Sequence, residues 1–116
     1  MAESVETRAI ELVACHYRKL GWQVVDVSRR GGEHAGIDLI AKRAGEILKL
    51  EVKGSSKPYI GIPDLYDSEV DEHRKLRADF LCVAYFPPDR PERLAIIQRD
   101  FIHPESLTKK ISYRRR

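Results

Sequence analysis

The segment Phe80–Phe86 is a continuous run of apolar residues, and it constrains the fold more than any other part of the chain. An uninterrupted apolar run of this length is typical of a strand that is buried on both faces. Such a strand requires a sheet with other elements packed against it. With 116 residues, the chain is long enough for one hydrophobic core but too short for two.

The order of the secondary-structure signals predicts the fold class. Apolar residues at helical spacing predict a helix over 4–20, which Ser4 caps and Gly21 ends. Strands are predicted over 22–27, 37–41, 47–53, 80–86 and 94–98, and a second helix over 68–78. The order α-β-β-β-α-β-β predicts an α/β (α+β) fold, in which helices flank a mixed β-sheet.

Composition excludes several classes of protein. The chain is 42% hydrophobic and 34% charged, which fits a globular protein and argues against disorder. No apolar run reaches the roughly 20 residues of a membrane span, and the N-terminal residues lack the layout of a signal peptide. Cys15 and Cys82 stand in no zinc-binding spacing, so we expect two buried, reduced thiols. We therefore expect a cytoplasmic protein that makes no membrane contact.

Positive charge is concentrated at the C-terminal end. The formal net charge is +3, and residues 109–116 hold five of the 21 basic residues and no acidic one. The other 16 basic residues are outnumbered by 18 acidic ones, so the rest of the chain is slightly acidic. We therefore divide the chain into one domain over 1–108 and a basic tail over 109–116. Such a tail either contacts nucleic acid phosphates or only keeps the protein soluble.

The strand predicted over 47–53 carries the most informative pattern. Its apolar residues alternate with charged ones, so one face is apolar and the other presents Lys49, Glu51 and Lys53. Taken alone, Glu51 and Lys53 could be an ordinary surface pair on a half-buried strand. The residues that precede this strand favour a different interpretation.

Asp38 lies 13 residues before Glu51, in the preceding strand. A tight turn near Gly45 would pair the two strands as a hairpin and bring Asp38 and Glu51 within reach of one divalent ion. Because Asp38 stands between Ile37 and Leu39, burial of its carboxylate would be unfavourable without a metal or a base to compensate it. The pattern therefore predicts a site formed by Asp38, Glu51 and Lys53.

The first helix supplies a further candidate carboxylate. At about 100° per residue, Glu6 falls within the apolar arc of the helix, whereas Glu11 falls on the far side. We therefore expect Glu6 to point towards Asp38 and Glu11 to be exposed. The alternative role for Glu6 is that of an acid in the first helical turn, where it favours the helix dipole.

The glycine-rich segment 28–36 predicts a loop beside this site. Arg29, Arg30 and His34 lie in the loop, and Lys57 lies on the other side of the strand that carries Glu51. Flexible glycines let a backbone approach phosphate closely, so these four residues are candidate nucleic acid contacts. The alternative is a mobile, solvated loop with no ligand.

An ordered set of short motifs resembles a known group of proteins. GIDLIA followed by EVKG, after a helix that carries a glutamate, resembles the PD-(D/E)XK nuclease superfamily. A closer resemblance is to the nuclease-like C-terminal domain of NO VEIN-type proteins. It covers about residues 5–86 and is carried by VETRA (5–9), GWQVVDVS (21–28), GIDL (36–39), EVKG (51–54) and SEV (68–70).

The resemblance implies a restriction-endonuclease-like fold and a metal-dependent reaction. By this likeness, Asp38, Glu51 and the backbone carbonyl of Val52 would bind Mg²⁺ or Mn²⁺, which prefer oxygen ligands. Lys53 would orient or deprotonate the attacking water, and Glu6 would act through a metal-bound water. The implied substrate is nucleic acid, DNA rather than RNA, and small nucleases of this kind often act as homodimers.

Three functions remain open at this point. The leading one is a Mg²⁺- or Mn²⁺-dependent nuclease, which all three residues Asp38, Glu51 and Lys53 favour. The second is a catalytically silent nucleic-acid-binding module on the same fold. The third is a protein-interaction module, since a fold alone does not determine a function.

Overall fold

The structure is a computed structural model that describes residues 4–30, 32–56, 76–89 and 91–101. Within these ranges it contains one α-helix, α1, and five β-strands, β1 to β5. Short 3-10 helices span Gly32–His34 and Arg99–Phe101. The bounds are α1 (Val5–Lys19), β1 (Gln23–Asp26), β2 (Leu39–Arg43), β3 (Glu46–Ser55), β4 (Phe80–Tyr85) and β5 (Arg93–Gln98).

The five strands form one mixed sheet in the order β1-β2-β3-β4-β5. β3 and β4 run parallel, and the other three neighbouring pairs are antiparallel. A parallel pair requires a crossover connection of a dozen or more residues, and the chain between Ser55 and Phe80 is long enough to provide it. The predicted α+β architecture with a mixed sheet is confirmed.

Helix α1 begins and ends where the sequence predicts. The Ser4 side chain accepts a hydrogen bond from the Thr7 backbone N–H (3.1 Å), which satisfies one of the amides left free at a helix start. Ala9, Val13 and Tyr17 form the buried stripe of the helix, and this stripe packs chiefly on β3. The described helix is neither long nor apolar enough to cross a membrane.

Strand β4 is buried on both faces, as its unbroken apolar sequence predicts. Cys82 and Ala84 belong to the hydrophobic core under α1, and Leu81 and Val83, which alternate with them, are also buried. β4 lies between β3 and β5, so both of its edges are paired as well. A polar residue in this strand would lack solvent on every side.

The hairpin between β2 and β3 is tighter than predicted. β2 continues to Arg43 and β3 begins at Glu46, so the turn consists of Ala44 and Gly45 alone. Both turn residues have positive φ, 49° and 83°, which matches the twist of antiparallel strands in a two-residue hairpin. The strand predicted from residue 37 starts instead at Leu39, which leaves Asp38 immediately outside regular pairing.

Two expectations are wrong in detail. Cys15 is exposed rather than buried, because it lies on the side of α1 that faces away from the sheet. Leu76 makes an isolated strand bridge and residues 77–79 form a bend, so the last part of the helix predicted over 68–78 is not helical. The earlier part of that helix, the tail 109–116 and Lys57 lie outside the described residues.

Gly54 allows α1 to approach β3 closely. A Cβ atom at residue 54 would stand 2.6 Å from Val5 Cγ1, 2.8 Å from the Val5 carbonyl oxygen and 3.2 Å from Ala9 Cβ. Separations below 3.0 Å are not tolerated between such atoms, and one of the two shortest contacts is to backbone. The first turn of α1 can therefore rest on β3 only because residue 54 has no side chain.

A hydrogen-bonded pair lies in the core between α1 and β4. The Tyr17 hydroxyl and the Cys82 thiol are hydrogen-bonded, and the Tyr17 ring packs edge-on against Trp22. Burial is the main cause that raises the pKa of Cys82, which reaches about 12. The hydrogen bond with Tyr17 lowers this pKa, whereas the charges of Glu51 and Asp38 raise it further. Burial and the nearby Cys82 also raise the pKa of Tyr17 above its ordinary value.

We expect Gly54→Ala to lower the free energy of unfolding by about 1–3 kcal/mol, as overpacking does in other cores. Urea denaturation measures the loss. Val5→Ala in the same chain should restore part of it, because that change removes the Cγ1 contact but leaves the Val5 carbonyl in place. A Gly54→Ala variant as stable as the wild type would contradict the close approach of α1.

We expect stability to fall as pH rises above about 9. The unfolded Cys82 thiol ionises near its ordinary pKa of about 8.5, whereas the folded thiol stays protonated up to about 12. The unfolded state therefore binds fewer protons in this window, and stability falls by up to about 1.4 kcal/mol per pH unit. Urea denaturation between pH 8 and 10 measures the slope.

Cys82→Ala should make this alkaline slope shallower, and Cys15→Ala should leave it unchanged. The two variants each remove one thiol, but Cys15 is exposed and Cys82 is buried. Because Tyr17 also has a raised pKa, part of the slope above pH 10 should survive in Cys82→Ala. Equal slopes in the wild type and Cys82→Ala would show that the folded thiol ionises normally.

Candidate active site

Asp38 occupies an irregular position between β1 and β3. Its backbone N–H donates to the Leu50 carbonyl oxygen (2.9 Å), and its own carbonyl accepts from the Val27 N–H (2.8 Å). The N–H and the carbonyl of Asp38 thus bond to residues on opposite sides of it, Leu50 in β3 and Val27 after β1. These bonds fix the backbone of Asp38 although it lies outside β2.

Two successive residues of the chain face a single residue of β3 at this point. Leu39 is the register partner of Leu50, and the Asp38 N–H also bonds to Leu50. The regular ladder with β3 begins at Leu39, and Asp38 bonds to β3 just outside it. Alternation along 37–41 gives no sign of such an irregularity, so sequence reasoning missed it.

The Asp38 side chain bonds to the backbone of β3. Its Oδ2 atom accepts a buried hydrogen bond from the Val52 N–H (2.8 Å). The carboxylate takes the place that a backbone carbonyl would occupy if β2 continued. Asp38 is only 2% exposed, and this bond places its carboxylate beside the peptide that joins Glu51 to Val52.

Strand β3 separates apolar and charged side chains as predicted. Leu50 and Val52 belong to the core under α1, whereas Glu51 and Lys53 alternate with them and point to the other face. Glu51 is fully buried, and the Lys53 side chain is 13% exposed. Lys53 Nζ lies 3.8 Å from Glu51 Oε1, so the acid and the base form an ion pair.

Two contacts relate the three predicted residues to one short stretch of β3. The Val52 N–H bonds to Asp38, and Lys53 lies 3.8 Å from Glu51. Val52 therefore stands between Glu51 and Lys53 in the chain and holds the Asp38 carboxylate at the same stretch of strand.

This group of side chains fits a divalent cation with oxygen ligands. Two carboxylates and one lysine carry a net charge of −1 when all are ionised, and buried charge of one sign is unfavourable unless compensated. Mg²⁺ is usually held by one or two carboxylates and keeps several waters. Within residues 4–30, 32–56, 76–89 and 91–101, no cluster contains three or more acidic, histidine or cysteine side chains suited to a metal.

Glu11 is exposed as expected, but Glu6, which was expected to point towards Asp38, is exposed as well. Both side chains are exposed, and both line a cleft of about 400 Å³ between the start of α1 and the end of β1. Val5 is already partly exposed, and the buried stripe of the helix starts at Ala9. Glu6 therefore stands at the rim of the helix–sheet contact rather than within it, a position that helical periodicity alone does not reveal.

The predicted nucleic acid contacts lie around the loop before Asp38. Arg29 is exposed and lines the same cleft as Glu6, together with Asp26 and Ser28. Arg30 is exposed, and its backbone N–H donates to Val27 (2.9 Å). His34 is partly buried, and its carbonyl accepts from the Ile37 N–H (3.0 Å).

Comparison with known proteins supports a likeness of fold. No protein-family model matches the sequence, and no curated protein matches it. Among solved structures, the chain is similar to a bacterial homing endonuclease, I-Ssp6803I, with a TM-score of 0.56. The sequences are 18% identical, and the alignment covers 86% of this chain and 68% of that chain. At this identity the likeness shows a shared fold: the chain has a mixed-sheet fold that is also found in a homing endonuclease.

Proposed function

We propose that this protein is a metal-dependent nuclease of the PD-(D/E)XK type that hydrolyses phosphodiester bonds in DNA or RNA. One observation supports this proposal above others. The Val52 amide holds the Asp38 carboxylate beside a strand that presents Glu51 and Lys53 together. Residues of these types in this order carry out metal-assisted hydrolysis in the superfamily that the sequence resembles.

Asp38, Glu51 and the Val52 carbonyl oxygen would hold Mg²⁺ or Mn²⁺. When bound, such an ion neutralises charge on the phosphate and lowers the pKa of a coordinated water. The chain contributes rigidity to this ligand set. The Val52 N–H holds Oδ2 of Asp38 and so fixes the orientation of that carboxylate.

Lys53 would orient the attacking water or, in its neutral form, deprotonate it. Its Nζ atom is 3.8 Å from Glu51, a proposed metal ligand, so a water beside that carboxylate is within reach of the lysine. A cation at Nζ also compensates negative charge that develops on the phosphate. Glu51 therefore connects the proposed metal to the proposed base.

DNA is the proposed substrate in preference to RNA. One solved structure with a similar fold is that of a homing endonuclease. Arg29, Arg30, His34 and Lys57 would contact phosphates next to the site, and Glu6 would act through a water from the rim of its cleft. Phosphate contacts of this kind position a nucleic acid without reading its sequence.

We expect Asp38→Ala to be less stable than Asp38→Asn by about 1–3 kcal/mol, because only the asparagine can still accept from Val52 N–H. Both variants lose the same charge, so the difference isolates the hydrogen bond. Urea denaturation at pH 7 measures it. Equal stability of the two variants would mean that the hydrogen bond contributes nothing to folding. Because Asp38→Asn can keep this bond, it is the better variant for activity measurements.

We expect nucleic acid cleavage that requires Mg²⁺ or Mn²⁺ and is abolished in Asp38→Asn and Glu51→Gln. Lys53→Ala should retain metal binding but slow cleavage by about 10²–10⁴-fold, the usual contribution of a general base. Cleavage of labelled duplex, single-stranded and branched substrates measures activity. The rise in melting temperature with added Mn²⁺ measures metal binding separately.

Exposed residues of the same strand provide matched controls. Glu46→Gln and Lys49→Ala remove the same charges from exposed positions in β3 and should leave cleavage intact. Binding of DNA and RNA without cleavage of any substrate would favour the silent binding module. A protein that neither binds nor cuts would refute both nucleic acid functions and leave the interaction module.

A further inference from the structure

Arg8 is held against an aromatic ring at the carboxyl end of the parallel strand pair. Its guanidinium carbon lies 4.2 Å from the centre of the Phe86 ring. Phe86 directly follows β4, and its backbone N–H donates to the Ser55 carbonyl (2.8 Å), the last residue of β3. The stacked pair therefore sits where β3 and β4 end.

The guanidinium N–H groups of Arg8 have no acceptor within the part of the chain that the structure describes. There the guanidinium forms neither a hydrogen bond nor an ion pair, and the side chain is exposed. Stacking on a ring engages the flat face of the guanidinium and leaves the N–H groups at its edge accessible. The result is a cation of restricted orientation whose guanidinium donors no described residue uses.

A second stacked arginine shows what a purely structural role looks like. The Arg43 guanidinium lies 4.3 Å from the Trp22 ring centre, almost the same separation. Unlike Arg8, it also donates to the Leu20 carbonyl (2.9 Å) and so joins α1 to the β2–β3 hairpin. Arg18 likewise donates to the Val24 carbonyl (3.1 Å). Among the described residues, no backbone carbonyl accepts a hydrogen bond from the Arg8 guanidinium.

The position of Arg8 relative to the candidate site is set by Gly54. That glycine follows Lys53 and lets the first turn of α1 rest on β3, so Arg8 projects near the end of the same strand. Arg8 and Phe86 lie on the α1 side of the sheet, whereas Glu51 and Lys53 point to the other face. The cation and the candidate site therefore flank β3 from opposite faces, with the cation at the carboxyl end of the strand.

We propose that Arg8, held on Phe86, binds a substrate phosphate at the carboxyl end of β3, away from the bond that is cut. This inference rests on the proposed nuclease function and adds a defined contact outside the metal site. Arginine binds phosphate through two parallel N–H bonds, and prior stacking reduces the side-chain entropy lost on binding. Arg8 would thereby fix the direction in which the nucleic acid strand leaves the site.

The test compares Arg8→Gln with Lys19→Gln, each introduced into the Asp38→Asn chain to prevent cleavage. Both changes remove one positive charge from exposed positions of α1, at opposite ends of the helix. Binding of a fluorescent 20-base-pair duplex is measured across a range of salt concentrations. Arg8→Gln should weaken binding about tenfold and reduce the salt slope by about 0.9, the value for one lost phosphate contact.

Two further variants separate a phosphate contact from a stabilising role. Phe86→Leu keeps the charge of Arg8 but removes the ring, so affinity should fall several-fold while the salt slope stays unchanged. Arg8→Lys keeps the charge without the two parallel N–H bonds, so it should restore the slope but only part of the affinity. A melting temperature measured for each variant reports any loss of stability separately.

The outcomes distinguish this inference from the proposed function. If the Asp38→Asn chain binds DNA, and Arg8→Gln and Lys19→Gln have the same salt slope, then Arg8 is not a phosphate contact and the nuclease proposal stands. A lowered melting temperature with an unchanged slope would likewise overturn the inference and assign Arg8 a stabilising role. If neither the wild type nor Asp38→Asn binds nucleic acid, both proposals are wrong.

Discussion

The buried hydrogen bond from the Val52 N–H to Asp38 Oδ2 is the interaction on which the candidate site depends. It joins the irregular residue before β2 to the strand that carries Glu51 and Lys53. Without it, the buried Val52 amide would lose its acceptor, at a cost of about 1–3 kcal/mol. The Asp38 carboxylate would also lose the bond that orients it. The same bond thus supports both the sheet and the geometry of the acidic group.

Burial of two carboxylates beside one lysine is an unfavourable arrangement in a protein of this size. Interior charges lose hydration and are retained where hydrogen bonds, ion pairs or metal ions compensate them. The described bonds supply part of this compensation: an amide for Asp38 and an ammonium group 3.8 Å from Glu51. A divalent cation bound by these carboxylates would supply more of this compensation.

Helix α1 affects the surroundings of the candidate site by its position on β3 rather than by its charges. Gly54 lets the helix approach β3 closely, and this contact decides where the first-turn side chains project. Glu6 is carried to the rim of an open cleft, whereas Arg8 is placed over Phe86 at the end of the parallel strands. One methyl group added at residue 54 would push the helix away from β3. This would alter both the stability of the domain and the electrostatic surroundings of the candidate site.

The sequence by itself determined the mixed sheet, the bounds of α1, the burial of β4 and the charged face of β3, because local periodicity and apolar runs depend only on near neighbours along the chain. It also predicted a site at Asp38, Glu51 and Lys53, whose spacing suits a hairpin. Only the tertiary structure decided that the Asp38 side chain bonds to Val52, that Glu6 is exposed and that Arg8 stacks on Phe86. These features depend on contacts between segments far apart in the chain, and helical or strand periodicity carries no information about such contacts.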